Sequence, residues 1–282
     1  MITLRPEGEN AGFEIIPGDA DSPVILHVPH GSRTLTPHAR SRIVLDDAAL
    51  SAELDQLTDA HTGLIASRAA AAAGLPPWTF GNHLSRLVID PERFSDDREE
   101  MHAVGMGAVY LRTSQGMTLR ADDPDHVEDL LARHYRPYAE AVANLVDGRV
   151  EAMGHAVILD VHSYPSRALP YELHATGNRP ATCLGVDSFH TPDWLLAAAR
   201  KAFSQVGDID VNSPFSGTYV PLRHYRGVEG VTALMVEIRR DSYMTEPGGA
   251  PTEGVETVVR ALTGLVDEAT AIVRAMAQDG GS

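Results

Sequence analysis

The sequence predicts an α/β fold in which helices cover both faces of a mostly parallel, mixed central sheet, giving three αβα layers. Short apolar runs bounded by turn residues alternate along the chain with longer segments whose apolar residues recur every three or four positions. Such alternation is typical of a sheet that is buried on both sides. The 282 residues contain no internal repeat, linker or low-complexity block, so we expect a single domain over residues 1–282.

The individual elements follow from these two kinds of pattern. Five apolar runs predict buried strands: Val24–Val28, Leu87–Ile89, Val109–Arg112, Ala156–Val161 and Thr232–Ile238. Four longer segments predict helices: Asp46–Ala73, Asp125–Val150, Thr191–Val206 and Thr252–Ala277. We expect Asp46 or Asp47 to cap the first helix and Pro137 to bend or interrupt the second. The last three residues, Gly280–Ser282, are typical of a frayed tail.

Composition excludes several classes of function and of metal site. With 23 Lys and Arg against 39 Asp and Glu, the formal net charge is −16, which argues against a nucleic-acid-binding surface. The single cysteine, Cys183, excludes an internal disulfide and a thiolate zinc cluster, so any metal ligands must be histidine and carboxylate. We expect no membrane partner and a cytoplasmic location, because the sequence has neither a membrane-spanning run nor an N-terminal secretory signal.

Histidine and carboxylate residues cluster where the predicted strands end, which is where parallel sheets place their ligands. His30 follows Pro29 just after the first strand, whereas His27 lies within that strand and is expected to be a hydrogen-bonded core residue. Asp160 and His162 alternate at the end of another strand and share one face, which suits a metal ligand and its carboxylate neighbour.

Glu237 is a carboxylate within an apolar strand. Burying such a group without a partner is costly and raises its pKa, which suits a general base near neutral pH. The alternative is an ion pair with Arg239 or Arg240.

Two arginines, Arg86 and Arg93, bracket the predicted strand at Leu87–Ile89. Arginine is well suited to a bidentate grip on a carboxylate or phosphate, so this pair could hold an anionic substrate. The alternative is surface salt bridging with the neighbouring acids Asp90, Glu92 or Asp96.

Two further acids, Asp55 and Asp59, stand four residues apart on the first predicted helix and share a face. A bound cation would relieve their mutual repulsion, and the alternative is a solvated helix face.

Six short motifs together resemble the N-formylglutamate amidohydrolase family. They occur in the family's order between residues 24 and 244: Val28–Gly31, Ser85–Arg93, Asp160–Ser163, Gly185–Pro192, Asn212–Tyr219 and Glu237–Asp241. This family is similar to the zinc carboxypeptidases, so the resemblance implies a zinc-carboxypeptidase-like fold. It also implies a hydrolase that splits N-formyl-L-glutamate into formate and glutamate during histidine degradation.

The resemblance implies one zinc ion per chain, held by His30, Asp59 and His162 with a water in the open position. Thr58–Asp59 best matches the family's acidic helix, while Asp55 and His61 remain alternatives for that ligand.

Other residues receive catalytic and substrate-binding roles from the resemblance. Glu237 is expected to be the general base, Arg86 to stabilise the oxyanion, and Arg86 with Arg93 to bind carboxylate. Ser163 and Tyr219 are the further expected substrate contacts.

One position departs from the related carboxypeptidase pattern. Glu92 stands where those enzymes carry a neutral asparagine near the substrate carboxylate. This departure keeps open a second reading, a zinc hydrolase of another small anionic N-acyl amino acid or of a peptide-like amide. A non-catalytic small-molecule binding protein on the same fold is the third.

Overall fold

The computed structural model describes residues 2–4, 12–173 and 177–279, and the predicted frayed tail lies outside them. The strands within these residues are β1 Phe13–Ile16, β2 Val24–Val28, β3 Trp78–Asn82, β4 Ala156–Tyr164, β5 Thr182–Gly185, β6 Ile209–Val211 and β7 Val231–Arg239. They form one sheet in the order β1-β3-β2-β4-β7-β5-β6. Strands β3, β2, β4 and β7 are parallel to one another. Strand β1 is antiparallel to β3, β5 is antiparallel to β7, and β6 is parallel to β5. The predicted mostly parallel, mixed sheet is confirmed.

Helices cover both faces of this sheet. They are α1 Pro37–Arg42, α2 Asp47–Leu57, α3 Thr62–Ala72, α4 Pro124–Leu130, α5 Arg136–Met153, α6 Asp193–Phe203 and α7 Gly254–Asp279. Alternate residues of β4 enter opposite cores: Val157 and Leu159 pack with α3, α6 and α7, whereas Ile158 packs with α5. The three-layer αβα architecture follows from this alternation. Within the described residues, no helix is long and apolar enough to cross a membrane.

Two predicted strands are wrong, and both lie in an irregular segment beside the sheet. Leu87–Ile89 forms a turn in which the Val88 amide donates to the carbonyl oxygen of Ser85 at 2.8 Å. Val109–Arg112 makes only isolated bridges, such as Met106 with Tyr110. Both runs are apolar because they pack into a separate hydrophobic cluster with α1, α2 and α4, and burial without strand pairing produces the same sequence pattern.

The sequence pattern also missed four strands. Strands β1 and β6 are short and largely exposed or half-buried edge strands, so they carry no continuous apolar run. Strand β3 is interrupted by Gly81, and β5 is only four residues long.

The first predicted helix is two helices. Asp46 caps α2 as expected, with its side chain accepting from the Ala49 amide. The chain leaves the helix after Leu57 and re-enters it at Thr62, turning through His61 in the left-handed conformation with φ of 67°. Apolar spacing continues across the break, which is why periodicity alone did not reveal it. The break places Asp59 at a corner instead of on a helix face.

The second predicted helix is interrupted near Pro137, as expected. A π-helical turn over Leu131–Tyr135 separates α4 from α5, and Pro137 lies at the start of α5. Proline lacks an amide hydrogen and crowds the preceding turn, so a regular α-helix cannot pass through this position unchanged.

Candidate active site

The parallel strands β2, β4 and β7 bring the predicted site residues together. His30 lies two residues beyond β2, while His162 and Glu237 are directly paired neighbours near the carboxyl ends of β4 and β7. On the other side of β4, His27 of β2 is paired with Asp160. A cavity of about 660 Å³ opens over these strand ends and is lined by His30, His162 and Glu237. This is the position at which open α/β sheets bind ligands.

Asp59 lies beside His30 and His162 because a backbone hydrogen bond holds the corner between α2 and α3 against the residues that follow β2. The Asp59 amide donates to the carbonyl oxygen of His30 at 3.0 Å. Its carboxylate Oδ2 lies 3.1 Å from His162 Nδ1 and 3.7 Å from His30 Nδ1. The two Nδ1 atoms are 3.2 Å apart, and all three side chains are buried. The structure therefore brings together the three residues predicted to bind metal.

This donor set fits a divalent cation such as zinc. Two Nδ1 atoms that face each other can share only one proton, whereas a cation would be stabilised by both lone pairs and by the Asp59 carboxylate. On the outer side of its ring, His30 Nε2 lies 2.9 Å from Asp90 Oδ1. That carboxylate favours the proton on Nε2, which leaves the Nδ1 lone pair facing inward.

The two alternative ligands are engaged elsewhere. Asp55 accepts from Arg33, and His61 Nε2 lies 2.8 Å from the carbonyl oxygen of Gly249. Neither belongs to the group formed by His30 and His162 with Asp59.

Arg240 holds Asp59 in place, and sequence analysis gave it no such role. Its Nη2 donates to Asp59 Oδ1 at 3.2 Å, and its other donors reach Ser163 Oγ, the Ser163 carbonyl and the Gln56 carbonyl. Because Oδ1 is bound by the guanidinium, Oδ2 is left to face the histidines. Arg240 is thus paired with Asp59, and its neighbour Arg239 with Asp241.

Glu237 is a buried acid that lines the cavity. Its Oε2 is buried and has no hydrogen-bond partner among the described residues. Burial raises the pKa of Glu237 to about 7; the nearby His162 acts in the opposite direction, and the Asp59 carboxylate reinforces the increase. The pairing with His162 across β4 and β7 places this carboxylate beside the candidate metal ligands.

Arg86 and Arg93 border the same cavity. Arg86 Nη2 lies 2.7 Å from His30 Nδ1 and 3.3 Å from Asp90 Oδ2. A metal ion would compete with this N–H for the His30 lone pair, so metal binding requires Arg86 to shift. Arg93 is more accessible, at 3.6 Å from both Asp90 Oδ2 and Glu99 Oε1. Asp90 is fully buried, so its contacts with the arginines are not surface salt bridges.

Ser163 and Tyr219 also line the cavity. Ser163 is buried, and its hydroxyl accepts from Arg240 Nε at 3.2 Å. The Tyr219 ring stacks on His27 with 4.8 Å between ring centroids, and its backbone amide donates to Asp160 Oδ2 at 3.4 Å.

His27 is buried as expected, and it belongs to a second cluster with Glu92 and Asp160. Its Nδ1 lies 2.9 Å from Asp160 Oδ1 and 3.4 Å from Glu92 Oε1, while its Nε2 lies 2.5 Å from the Tyr138 hydroxyl. Burial by itself lowers the pKa of His27, but the two carboxylates outweigh it and raise the pKa to about 9. Glu92 Oε2 also lies 3.2 Å from His162 Nε2.

Comparison with known proteins agrees with this arrangement. A family model described as N-formylglutamate amidohydrolase matches residues 22–244. The chain belongs to this family. The crystal structure of an N-formylglutamate amidohydrolase from Ralstonia eutropha JMP134 superposes with a TM-score of 0.78 at 24% identity, covering 94% of this chain and 99% of that chain.

A second solved structure, of a gene product from Agrobacterium tumefaciens, gives a TM-score of 0.62 at 16% identity and covers 96% of this chain and 98% of that chain. At these identities the likeness of both structures concerns the fold. None of the curated proteins compared with this N-formylglutamate amidohydrolase family member matches it significantly.

Removing the Arg240 side chain should destabilise the protein strongly. Arg240→Ala removes a buried cationic partner of the Asp59 carboxylate, and breaking a buried ion pair typically costs about 3–5 kcal/mol. The control is Arg68→Ala, which removes an arginine from an exposed ion pair with Glu256 and should change stability far less. Urea unfolding followed by circular dichroism measures both free energies of unfolding. Equal losses in the two variants would contradict a buried anchoring role.

Proposed function

We propose that the chain is a zinc-dependent amidohydrolase that cleaves the formyl amide of N-formyl-L-glutamate into formate and glutamate. The family match supports an activity on amides. The observation that carries the proposal is the convergence of His30, Asp59 and His162 beside Glu237 in the cavity. We place this activity in histidine degradation, as the family resemblance implies, and we propose a cytoplasmic location.

In this proposal His30, Asp59 and His162 hold the zinc ion. When bound, zinc supplies a positive charge that polarises the amide carbonyl and lowers the pKa of water to about 7. The protein prepares its ligands for this task, since Asp90 orients His30 and Arg240 orients Asp59.

Glu237 is the general base. Its unpartnered Oε2 is free to accept a proton from the attacking water, and the same group then delivers that proton to the leaving amine. Its pKa of about 7 lets it hold or release a proton near neutral pH.

Arg86 and Arg93 supply positive charge for an anionic substrate. N-formylglutamate carries two carboxylates, and Arg93 is the more accessible of the two guanidinium groups. Arg86 lies beside His30, close enough to the metal ligands to stabilise the oxyanion that forms from the amide carbonyl. Ser163 and Tyr219 complete the walls that surround the substrate.

A second candidate is hydrolysis of another N-acyl amino acid or of a peptide-like amide. The observation that favours it is the cavity of about 660 Å³, a volume typical of pockets that enclose ligands considerably larger than N-formylglutamate. This candidate keeps the same metal ligands and base and changes only the substrate.

Metal analysis combined with a substrate panel tests the proposed function. We expect one zinc per purified chain, loss of hydrolysis on chelation, and recovery when zinc is returned. N-formyl-L-glutamate should be the preferred substrate over N-acetyl and N-succinyl amino acids. Preference for another member of the panel would favour the second candidate. Stoichiometric zinc with no turnover of any amide would contradict both and indicate a binding protein.

Glu237→Gln should retain zinc and lose most of its turnover. The amide cannot accept the proton from water, and loss of a general base typically lowers kcat about 10²- to 10⁴-fold. Glu229→Gln is the matched control, because Glu229 is an exposed residue in the turn that precedes the same strand. Steady-state kinetics and zinc content are measured for both variants. Unchanged kcat in Glu237→Gln would remove this residue from the base role.

A further inference from the structure

We propose that Glu92 is a positioning residue for the metal ligand His162 and does not contact the substrate carboxylate. The proposal rests on the proposed function, since it concerns how one of the zinc ligands is prepared. It assigns a role to the residue that stands where related carboxypeptidases carry asparagine.

The two nitrogens of His162 face opposite surroundings. Its Nδ1 is directed at Asp59 and His30, at 3.1 and 3.2 Å. Its Nε2 is directed at two carboxylates, with Asp160 Oδ1 at 3.0 Å and Glu92 Oε2 at 3.2 Å. A neutral imidazole carries one proton, and two carboxylates hold that proton on Nε2. The Nδ1 lone pair is then left for the metal.

Neither carboxylate alone is well placed to fix the ring. Both oxygens lie at ion-pair distance from Nε2, yet neither makes an aligned hydrogen bond with it. Both carboxylates therefore act electrostatically on the Nε2 proton, from 3.2 Å for Glu92 and 3.0 Å for Asp160. Asp160 is also occupied by other donors, because Oδ1 contacts His27 and Oδ2 accepts from the Tyr219 amide. Without Glu92, the ring of His162 loses one of its two restraints on the outer side.

The imidazole of His27 compensates the charge of Glu92 and Asp160, which lie together at this buried position. Its Nδ1 lies between them, at 2.9 Å from Asp160 Oδ1 and 3.4 Å from Glu92 Oε1, and the Tyr138 hydroxyl meets its other nitrogen. His162 thus lies at ion-pair distance from Oε2 of Glu92 and His27 from its Oε1, although Oε1 has no aligned hydrogen bond among the described residues.

This arrangement separates Glu92 from substrate binding. A carboxylate whose two oxygens face two histidines is directed into the floor of the cavity and is stabilised there. The positive groups Arg86 and Arg93 are contacted by other acids, chiefly Asp90 and Glu99. The substrate carboxylate can therefore approach these arginines without displacing or opposing Glu92.

The test compares Glu92→Gln with Glu151→Gln. The glutamine at position 92 keeps the size of the side chain but removes its charge, while Glu151 is an exposed acid on α5 that does not line the cavity. Zinc affinity is measured by competition with a chelator, and the ligand field is measured from the visible spectrum of the Co²⁺-substituted protein. Neither readout requires turnover. Circular dichroism checks that each variant is folded.

We expect Glu92→Gln to weaken zinc binding about 10- to 100-fold, as is typical when an acceptor behind a ligand histidine is lost. The Co²⁺ spectrum should change, and kcat should fall more than KM changes. Glu151→Gln should match the wild type in zinc affinity, Co²⁺ spectrum and kinetics. Glu92→Asp, which keeps the charge, should recover part of the zinc affinity and serves as the second variant if Glu92→Gln does not fold.

Three results would overturn the proposal. Unchanged zinc affinity and Co²⁺ spectrum with a lower KM would indicate that Glu92 opposes the substrate carboxylate. Two metal ions in the wild type and one in Glu92→Gln would make Glu92 a ligand. Equal zinc binding by wild type and both glutamine variants would remove the positioning role while leaving the proposed function intact. A wild type that binds no zinc would instead contradict the proposed function.

Discussion

The parallel pairing of β4 with its two neighbours is the constraint on which the site depends. Pairing with β7 puts His162 beside Glu237, and pairing with β2 puts Asp160 beside His27. Side chains alternate along a strand, so a shift of one residue in either register would turn one of these groups into the opposite core. Val157 and Leu159 of β4 pack into one core and Ile158 into the other, so the strand is held on both faces. This packing positions the titratable groups at the carboxyl end of β4.

Charge compensation is the second requirement of this arrangement. Asp59, Asp90 and Asp160 are buried close together, and each lies against a histidine or an arginine. Burying an uncompensated carboxylate is costly, so the partners are needed for folding as well as for chemistry. The overall charge of −16 says little about this local balance. An anionic substrate that approaches an acidic protein needs a focused positive region, and the arginines with a bound metal provide one.

The sequence predicted those site residues that follow strands. His30, His162 and Glu237 stand beyond or near the ends of strands that the apolar runs of β2, β4 and β7 revealed, and this topology alone brings them to one edge of the sheet. Asp59 was harder to place, because its position depends on a helix break that apolar spacing does not show. The choice of Asp59 came from the family resemblance, and the corner at His61 explains it physically.

The remaining site residues depend on partners far away in the chain. Arg240 and Asp59 are 181 residues apart, and His27 meets Tyr138 across 111 residues. A local pattern indicates the face on which a residue lies but not the distant group that it meets. The same limit explains the wrong strands at Leu87–Ile89 and Val109–Arg112, where apolar residues are buried by a neighbouring cluster and not by strand pairing.

X-ray absorption at the zinc edge tests the central claim most directly. One equivalent of zinc bound to the wild-type chain should show two imidazole nitrogens and a carboxylate oxygen as protein ligands. Asp59→Asn should alter this spectrum, whereas Asp55→Asn, which affects an acid paired with Arg33, should leave it unchanged. A zinc environment without two imidazoles, or one that changes with Asp55 and not with Asp59, would contradict the account.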